Sequence, residues 1–315
     1  MHTINTVLIA GAGSIGLTVA ERIFSSDPSC VSILAQDKRL ERYRRDGLFV
    51  NGRRIDFRFG DGKPVDLIIV ACKFHHLDAV IEDIRPYVKT GTIILSLLNG
   101  ISSEEIIGKI FGRERLPLAM ILGTDAFHRG TETVYTMPGV IHFGDADGNN
   151  GGREKSLAEF FSRVKVPFEL QSNMRRMYWY KFMINVGVNQ ITAAFRLPYG
   201  AIQTNGNAGE LPEARLLIEM AMREVIAVAN AEGIDLNEDD INTWYKTVNA
   251  LDAKSATSMC QDVLAERKTE VEMFALAMMN LGEKYRVPVP VNKTLYLALR
   301  VIEKRYGNLT GGGGT

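Results

Sequence analysis

The stretch that most constrains the fold is "TVLIAGAGSIG", Thr6 to Gly16. A run of strand formers leads into G-x-G-x-x-G at Gly11, Gly13 and Gly16, and a helical pattern follows. Each glycine has a separate physical task. Gly11 permits a tight turn, Gly13 lets backbone N–H groups approach a pyrophosphate, and Gly16 lets helix and strand pack closely. Ala12, Ser14 and Ile15 complete the loop at the helix N-terminus, where the partial positive charge favours phosphate. The motif alone is weak, but a strand before it and a helix after it make it a dinucleotide-binding signature. The competing reading is a glycine-rich turn without a ligand.

The downstream sequence supports the nucleotide reading. "CVSILAQ" (30–36), "VDLIIVAC" (65–72), "GTIILSLL" (91–98) and "LPLAMIL" (116–122) are short continuous apolar runs separated by helical patterns. Such runs indicate a parallel sheet covered on both faces. "LFVNGRRIDFRF" (48–59) departs from this, and its Asn51-Gly52 suits a two-residue hairpin turn. "TVYTMPGVIHFGD" (133–145) also reads as a hairpin, and "VPFEL" (166–170) as an edge strand.

Beyond Ser172 the strand-like runs stop. "YWYKFMINVGVNQITAAF" (178–195), residues 213–233, residues 255–287 and residues 290–307 all carry helical spacing. A chain of 315 residues is long for one core. The expected organisation is a Rossmann-type doubly wound α/β domain over 1–172, an all-α domain over 173–308 and a flexible tail over 309–315.

Composition narrows the partners. Lys+Arg and Asp+Glu are both 37, so net charge is zero and gives no electrostatic reason for nucleic acid or an anionic membrane. No apolar run approaches the ~18 residues of a membrane span. The three cysteines, Cys30, Cys72 and Cys260, are scattered and form no CxxC, which fits a reducing cytosol and offers no metal framework. The start of the chain has no signal-peptide pattern. The expectation is a cytoplasmic protein without a metal. His128 and His142 lack metal-ligand spacing. His75-His76 follow the third main strand, where local packing and a role beside a cofactor are both open.

Two features bear on chemistry. At the end of the second strand, where an acidic residue would select NAD and a basic one NADP, stand Gln36, Asp37, Lys38 and Arg39. These residues leave the choice open. In the first helical stretch, Lys181, Asn185 and Asn189 recur every four residues. At ~100° per residue they drift by only ~40° per step and share one side of the helix. Amides suit a carboxylate and a hydroxyl, and a lysine can protonate a carbonyl oxygen as it is reduced. A polar seam bridging the core would show the same spacing.

Taken together, "GAGSIG", "ACK" ending at Lys73, "LLNG" with Asn99, "YKFMINVGVNQIT" and "SMCQDVLAERKTE" (258–270) resemble the 2-dehydropantoate 2-reductases, or ketopantoate reductases, over nearly the whole chain. The resemblance implies reduction of 2-dehydropantoate to (R)-pantoate, a step toward pantothenate and coenzyme A. It implies NADP(H) as cofactor, with NAD(H) left open by Gln36, which stands where the family often has arginine. It implies Lys181 as general acid and Glu270 contacting substrate and cofactor. Asn99 would lie beside the nicotinamide ribose and the substrate. Asn185, Asn189, Ser255 and Ser258 would bind substrate, and Lys73 would line the cofactor cleft. A homodimer through the helical domain fits the family's variety. Tyr199 and Ser255 replace asparagines of studied members, which leaves another small 2-oxo acid as an alternative substrate. A nucleotide-binding protein without chemistry is the alternative of a different class.

Overall fold

A computed structural model describes residues 3–206 and 209–306, and the proposed tail lies outside them. The chain forms two compact units, Met1–Arg175 and Arg176–Thr315.

The first unit is built on five parallel strands. In chain order they are β1 (Val7–Ala10), β2 (Val31–Ile33), β5 (Arg58–Phe59), β6 (Leu67–Val70) and β7 (Ile93–Ser96). Their spatial order is β5-β2-β1-β6-β7. The connecting helices are α1 (Ser14–Ser26), α2 (Asp37–Asp46) and α3 (Leu77–Ile84), and α4 (Ser103–Phe111) follows β7. Successive side chains of a strand point to opposite faces. Val7 and Ile9 therefore join Leu67, Ile69, Ile93 and Leu95 in one core with Leu17, Ala20 and Ile23 of α1. Leu8 and Ala10 join Ile68, Val70 and Ile94 in a second core with Val80, Ile81 and Ile84 of α3 and Ile107 of α4. Burial on both faces is why these runs are continuously apolar rather than alternating.

Asp66 fastens the amino ends of the central strands. Its Oδ2 accepts hydrogen bonds from the N–H groups of Asn5 (2.9 Å) and Thr6 (3.0 Å) and from Thr6 Oγ1 (2.9 Å). Its Oδ1 lies 2.8 Å from Lys89 Nζ. Burial pushes this carboxyl up, but Lys89 and the donors outweigh burial and hold it at about 2. The folded value lies below the ordinary one of 3.8, so the ionised carboxylate favours the fold above that value. The contribution is roughly 2 kcal/mol and is lost as pH falls from about 4 toward 2. Asp66→Asn is expected to remove roughly that amount at neutral pH and to flatten this acid limb. Urea unfolding of both proteins at pH 7 and in mild acid checks it; parallel pH profiles would refute it.

Two smaller sheets complete the unit. β3 (Leu48–Val50) and β4 (Arg53–Ile55) form the expected hairpin, pairing Val50 with Arg53. Asn51 and Gly52 turn with φ of 49° and 74°, as a two-residue primed turn requires. β9 (Phe127–Arg129) and β10 (Glu132–Val134) extend that sheet, with β10 parallel to β3. The third sheet joins β8 (Leu118–Thr124), β11 (Pro138–Gly144) and β12 (Phe168–Leu170), with α5 (Gly152–Arg163) between the last two. β12 is an edge strand, as expected.

Two expectations change here. The run 116–122 does not join the parallel sheet: β8 pairs antiparallel with β11. The segment 133–145 is not a hairpin, because β10 and β11 enter different sheets. In both cases an apolar run signals burial but carries no information about its partner strand.

Among the described residues the second unit is helical. Its elements are α6 (Met174–Ile184), α7 (Gln190–Phe195), α8 (Pro212–Ala231), α9 (Glu238–Val248), α10 (Ser258–Leu264), α11 (Ala277–Tyr285) and α12 (Pro290–Arg305). A π turn, Asn185–Asn189, joins α6 to α7, and a second, Glu272–Leu276, precedes α11. The segment 255–287 is therefore not one helix. α10 stops at Leu264, Glu266 takes a left-handed φ of 51°, and the chain restarts beyond Glu270. No helix among the described residues is long and apolar enough to cross a membrane.

Candidate active site

In the first unit the candidate residues gather at the carboxyl ends of β1, β2, β6 and β7. Strand order reverses between β1 and β6, which is where doubly wound sheets open a crevice. Gly11 sits there with φ +127°, and a Cβ on it would lie 2.6 Å from the Ala71 carbonyl carbon. A Cβ on Gly16 would lie 1.8 Å from Gly11 O. Only glycine allows both approaches. Gly13 is different: nothing lies within 4 Å of where its Cβ would be. The space beside it is open at the N-terminus of α1, which has no side-chain cap and no acidic residue in its first turn. A helix end left this way suits an anionic ligand. The loop thus fits a pyrophosphate on the shape of its own backbone.

The flanking positions follow the strand ends. Gln36 is exposed and precedes α2, whose first residue Asp37 takes φ +46°. Lys38 and Arg39 are exposed beside it. Lys73 is half-buried just past β6, and its carbonyl accepts the His76 N–H at 2.9 Å. The His75 and His76 rings lie 4.2 Å apart on the surface. Burial pushes the neighbouring Cys72 thiol up to about 11, so it stays protonated at neutral pH. Asn99 is half-buried beyond β7 and precedes Gly100, which has φ +82°. Among the described residues, no cluster of His, Cys, Asp or Glu could hold a metal.

In the second unit the polar stripe occupies α6 and the π turn. Lys181 and Asn185 are half-buried and Asn189 is 9% exposed. A π turn takes more residues per turn than an α-helix, through i→i+5 bonding. It removes much of the overshoot that four α-helical residues would give, and the two amides stack, with Asn189 Nδ2 3.4 Å from Asn185 Oδ1. Asn185 Nδ2 is buried and has no hydrogen-bond partner among the described residues. Leaving such a donor unmet costs about 1–3 kcal/mol, and a water or a ligand oxygen would satisfy it.

The supporting residues surround this turn. Thr192 Oγ1 donates to Val188 O at 2.8 Å and lies 2.8 Å from Thr257 Oγ1. Thr257 caps α10, which begins at the exposed Ser258. Glu270 is 7% exposed, just ahead of the second π turn, which packs against the first. Ser255 is exposed, and its hydroxyl donates to Asp252 Oδ2 at 2.9 Å. Its carbonyl accepts the Tyr199 N–H at 2.9 Å, so the two positions where the resemblance expects asparagines are direct neighbours. Burial raises the Tyr199 phenol, which therefore remains a protonated donor. Gln190, Asn292 and Glu224 also bear on the turn but lie off the four-residue stripe. The one sequence signal for them was a further amide, Gln190, in an otherwise apolar stretch.

Known proteins show the same two-part construction. The family described as "Ketopantoate reductase PanE/ApbA" matches residues 7–148, and "Ketopantoate reductase PanE/ApbA C terminal" matches residues 173–303. The chain belongs to the ketopantoate reductase family. Members of this family are oxidoreductases that bind a nicotinamide dinucleotide and act on small keto acids. A 2-dehydropantoate 2-reductase of Halobacterium salinarum is 26% identical over 315 residues, covering 95% of this chain and 99% of that protein. The crystal structure of a 2-dehydropantoate 2-reductase from Geobacter metallireducens has a TM-score of 0.82 at 25% identity, covering 94% of this chain and 99% of that one. A D-mandelate dehydrogenase with NADH and anilino(oxo)acetate has a TM-score of 0.84 at 22% identity, covering 96% and 99%, and shares the fold.

Proposed function

We propose that this ketopantoate reductase family member reduces 2-dehydropantoate to (R)-pantoate with NADPH, in the cytosol, as a step toward pantothenate and coenzyme A. The observation that carries the reading is the buried, unmet Nδ2 of Asn185, one helical turn beyond Lys181. It is a donor suited to a carboxylate or hydroxyl oxygen of a 2-oxo acid.

In this reading Gly11–Gly16 hold the pyrophosphate, with Ala12, Ser14 and Ile15 presenting backbone groups. Gln36, Lys38 and Arg39 face the adenosine ribose, where the two cations favour a 2′-phosphate. Lys73 and Asn99 line the nicotinamide side. When bound, the reduced nicotinamide supplies a hydride to the keto carbon. Lys181 polarises the carbonyl oxygen and delivers the proton to it. Glu270 contacts substrate and cofactor in this reading and helps position the lysine. Asn185, Asn189 and Ser258 orient the substrate through its carboxylate and hydroxyl. A homodimer through the helical unit is supported by two exposed apolar pairs at i,i+4 spacing, Leu216 with Met220 and Leu297 with Val301.

A second reading, reduction of a bulkier 2-oxo acid, is supported by Tyr199. Its ring stands where an amide would offer hydrogen bonds, and the Ser255 hydroxyl beside it is already directed to Asp252. Steady-state oxidation of NADPH and NADH with 2-dehydropantoate and a panel of aliphatic and aromatic 2-oxo acids separates the readings. The proposal expects the highest kcat/KM for 2-dehydropantoate with NADPH. A preference for an aromatic oxo acid would establish the second reading. Tight cofactor binding with no turnover of any oxo acid would leave only a nucleotide-binding role.

A further inference from the structure

The π turn Asn185–Asn189 is held by a buried polar chain that enters from α8 and α12. Glu224 of α8 accepts hydrogen bonds from the Val291 N–H (2.7 Å, Oε1) and the Asn292 N–H (3.0 Å, Oε2) at the start of α12. Its Oε2 also accepts from Asn292 Nδ2 at 2.8 Å. The carboxylate therefore fixes which way the Asn292 amide faces, with Oδ1 turned toward Gln190. Gln190 Nε2 donates to that Oδ1 at 3.0 Å and to Val186 O at 2.8 Å. Gln190 and Asn292 are both 0% exposed.

The contact with Val186 O matters to the backbone. A helix that passes from i→i+5 bonding back to i→i+4 has one more carbonyl than its own N–H groups can serve. Gln190 supplies a side-chain donor inside that turn. The arrangement also leaves Gln190 Oε1 buried without a partner among the described residues. Flipping the amide would point this oxygen at Val186 O and Asn292 Oδ1, both acceptors, so the network forbids it. A buried acceptor left unmet is a cost that an apolar residue of similar size would avoid. It is retained where it fixes a geometry.

We infer that Gln190 and Asn292, anchored by Glu224, are positioning residues that maintain the π turn and so keep the Asn185 and Asn189 amides in register with each other. The inference rests on the proposed substrate-binding role of those amides, but the geometry it concerns is testable without it. Gln190→Met removes the donor at similar volume, and Asn292→Leu removes its partner. Each variant and the double are compared with the wild type by hydrogen exchange of residues 185–190, by dinucleotide affinity and by turnover of the best 2-oxo acid.

The inference expects faster exchange confined to the turn, unchanged dinucleotide affinity, and kcat lower by on the order of tenfold in each single variant. It also expects the double variant to be no worse than either single, since the pair acts as one unit. Wild-type exchange in the turn in both single variants would overturn it. So would wild-type kcat in both, or a double variant whose losses multiply. Loss of stability with unchanged kcat per folded enzyme would mark a merely structural pair and would also overturn it. A wild type that reduces no oxo acid, with faster exchange in the turn of the variants, would instead remove the proposed function and leave the turn's support standing.

Discussion

Lys181→Ala is expected to lower turnover by on the order of a hundredfold or more, with dinucleotide affinity unchanged. The size follows from losing a proton donor while the rest of the site remains. The fold should tolerate the change: Lys181 is half-buried on a helix, and alanine is the best helix former. Lys181→Arg sharpens the test. Arginine keeps the positive charge but holds its proton too tightly to give it up, so a general acid is not replaced by it. If lysine served only to attract an anionic substrate, Lys181→Arg would keep most of the turnover and Lys181→Ala would mainly raise KM. Pre-steady-state and steady-state cofactor oxidation distinguish the two.

The second large effect separates shape from binding within the glycine loop. Gly16→Ala would place a carbon 1.8 Å from Gly11 O, so strand β1 and helix α1 must move apart. Overpacking of this kind costs about 1–3 kcal/mol or more, and the loop geometry is lost with it. Gly13→Ala meets no protein atom within 4 Å and should leave the melting temperature near that of the wild type. Yet its methyl enters the space beside the α1 N-terminus, so dinucleotide affinity should fall by at least roughly tenfold, or about 1.4 kcal/mol. Melting curves with and without dinucleotide, together with titration calorimetry, give both quantities. Gly13→Ala binding the dinucleotide as tightly as the wild type would mean that the pyrophosphate does not sit there.

How far the sequence reveals this molecule depends on the range of each interaction. The glycine loop is local: strand, turn and helix are all encoded within Thr6–Ser26, and each glycine has its reason within a few residues or at one neighbouring strand. The Asn51-Gly52 turn is legible for the same reason. The run 116–122 was correctly apolar, but its antiparallel partner β11 lies in a segment whose first half pairs elsewhere. Composition could not reveal either pairing. The break at Glu266 has no glycine or proline to announce it, and the apolar period continues on both sides. The π turns are equally silent, because a change from i→i+4 to i→i+5 bonding needs no particular residue. The four-residue spacing of Lys181, Asn185 and Asn189 marks one side of the helix. It did not reveal that a wider turn brings the two amides together, nor that Gln190 and Asn292 support that turn from within the core.

The central claim is that this chain transfers a hydride from a reduced nicotinamide to the keto carbon of a small 2-oxo acid. The most direct measurement uses NADPH deuterated at nicotinamide C4 on the transferring face, with 2-dehydropantoate as substrate. Proton NMR of the product then reports on C2. The account predicts one deuterium at C2 of pantoate for each dinucleotide oxidised, and the same ratio at a rate lower by on the order of a hundredfold in Lys181→Ala. Dinucleotide oxidation without deuterium at C2, or a wild-type rate of incorporation in Lys181→Ala, would contradict it.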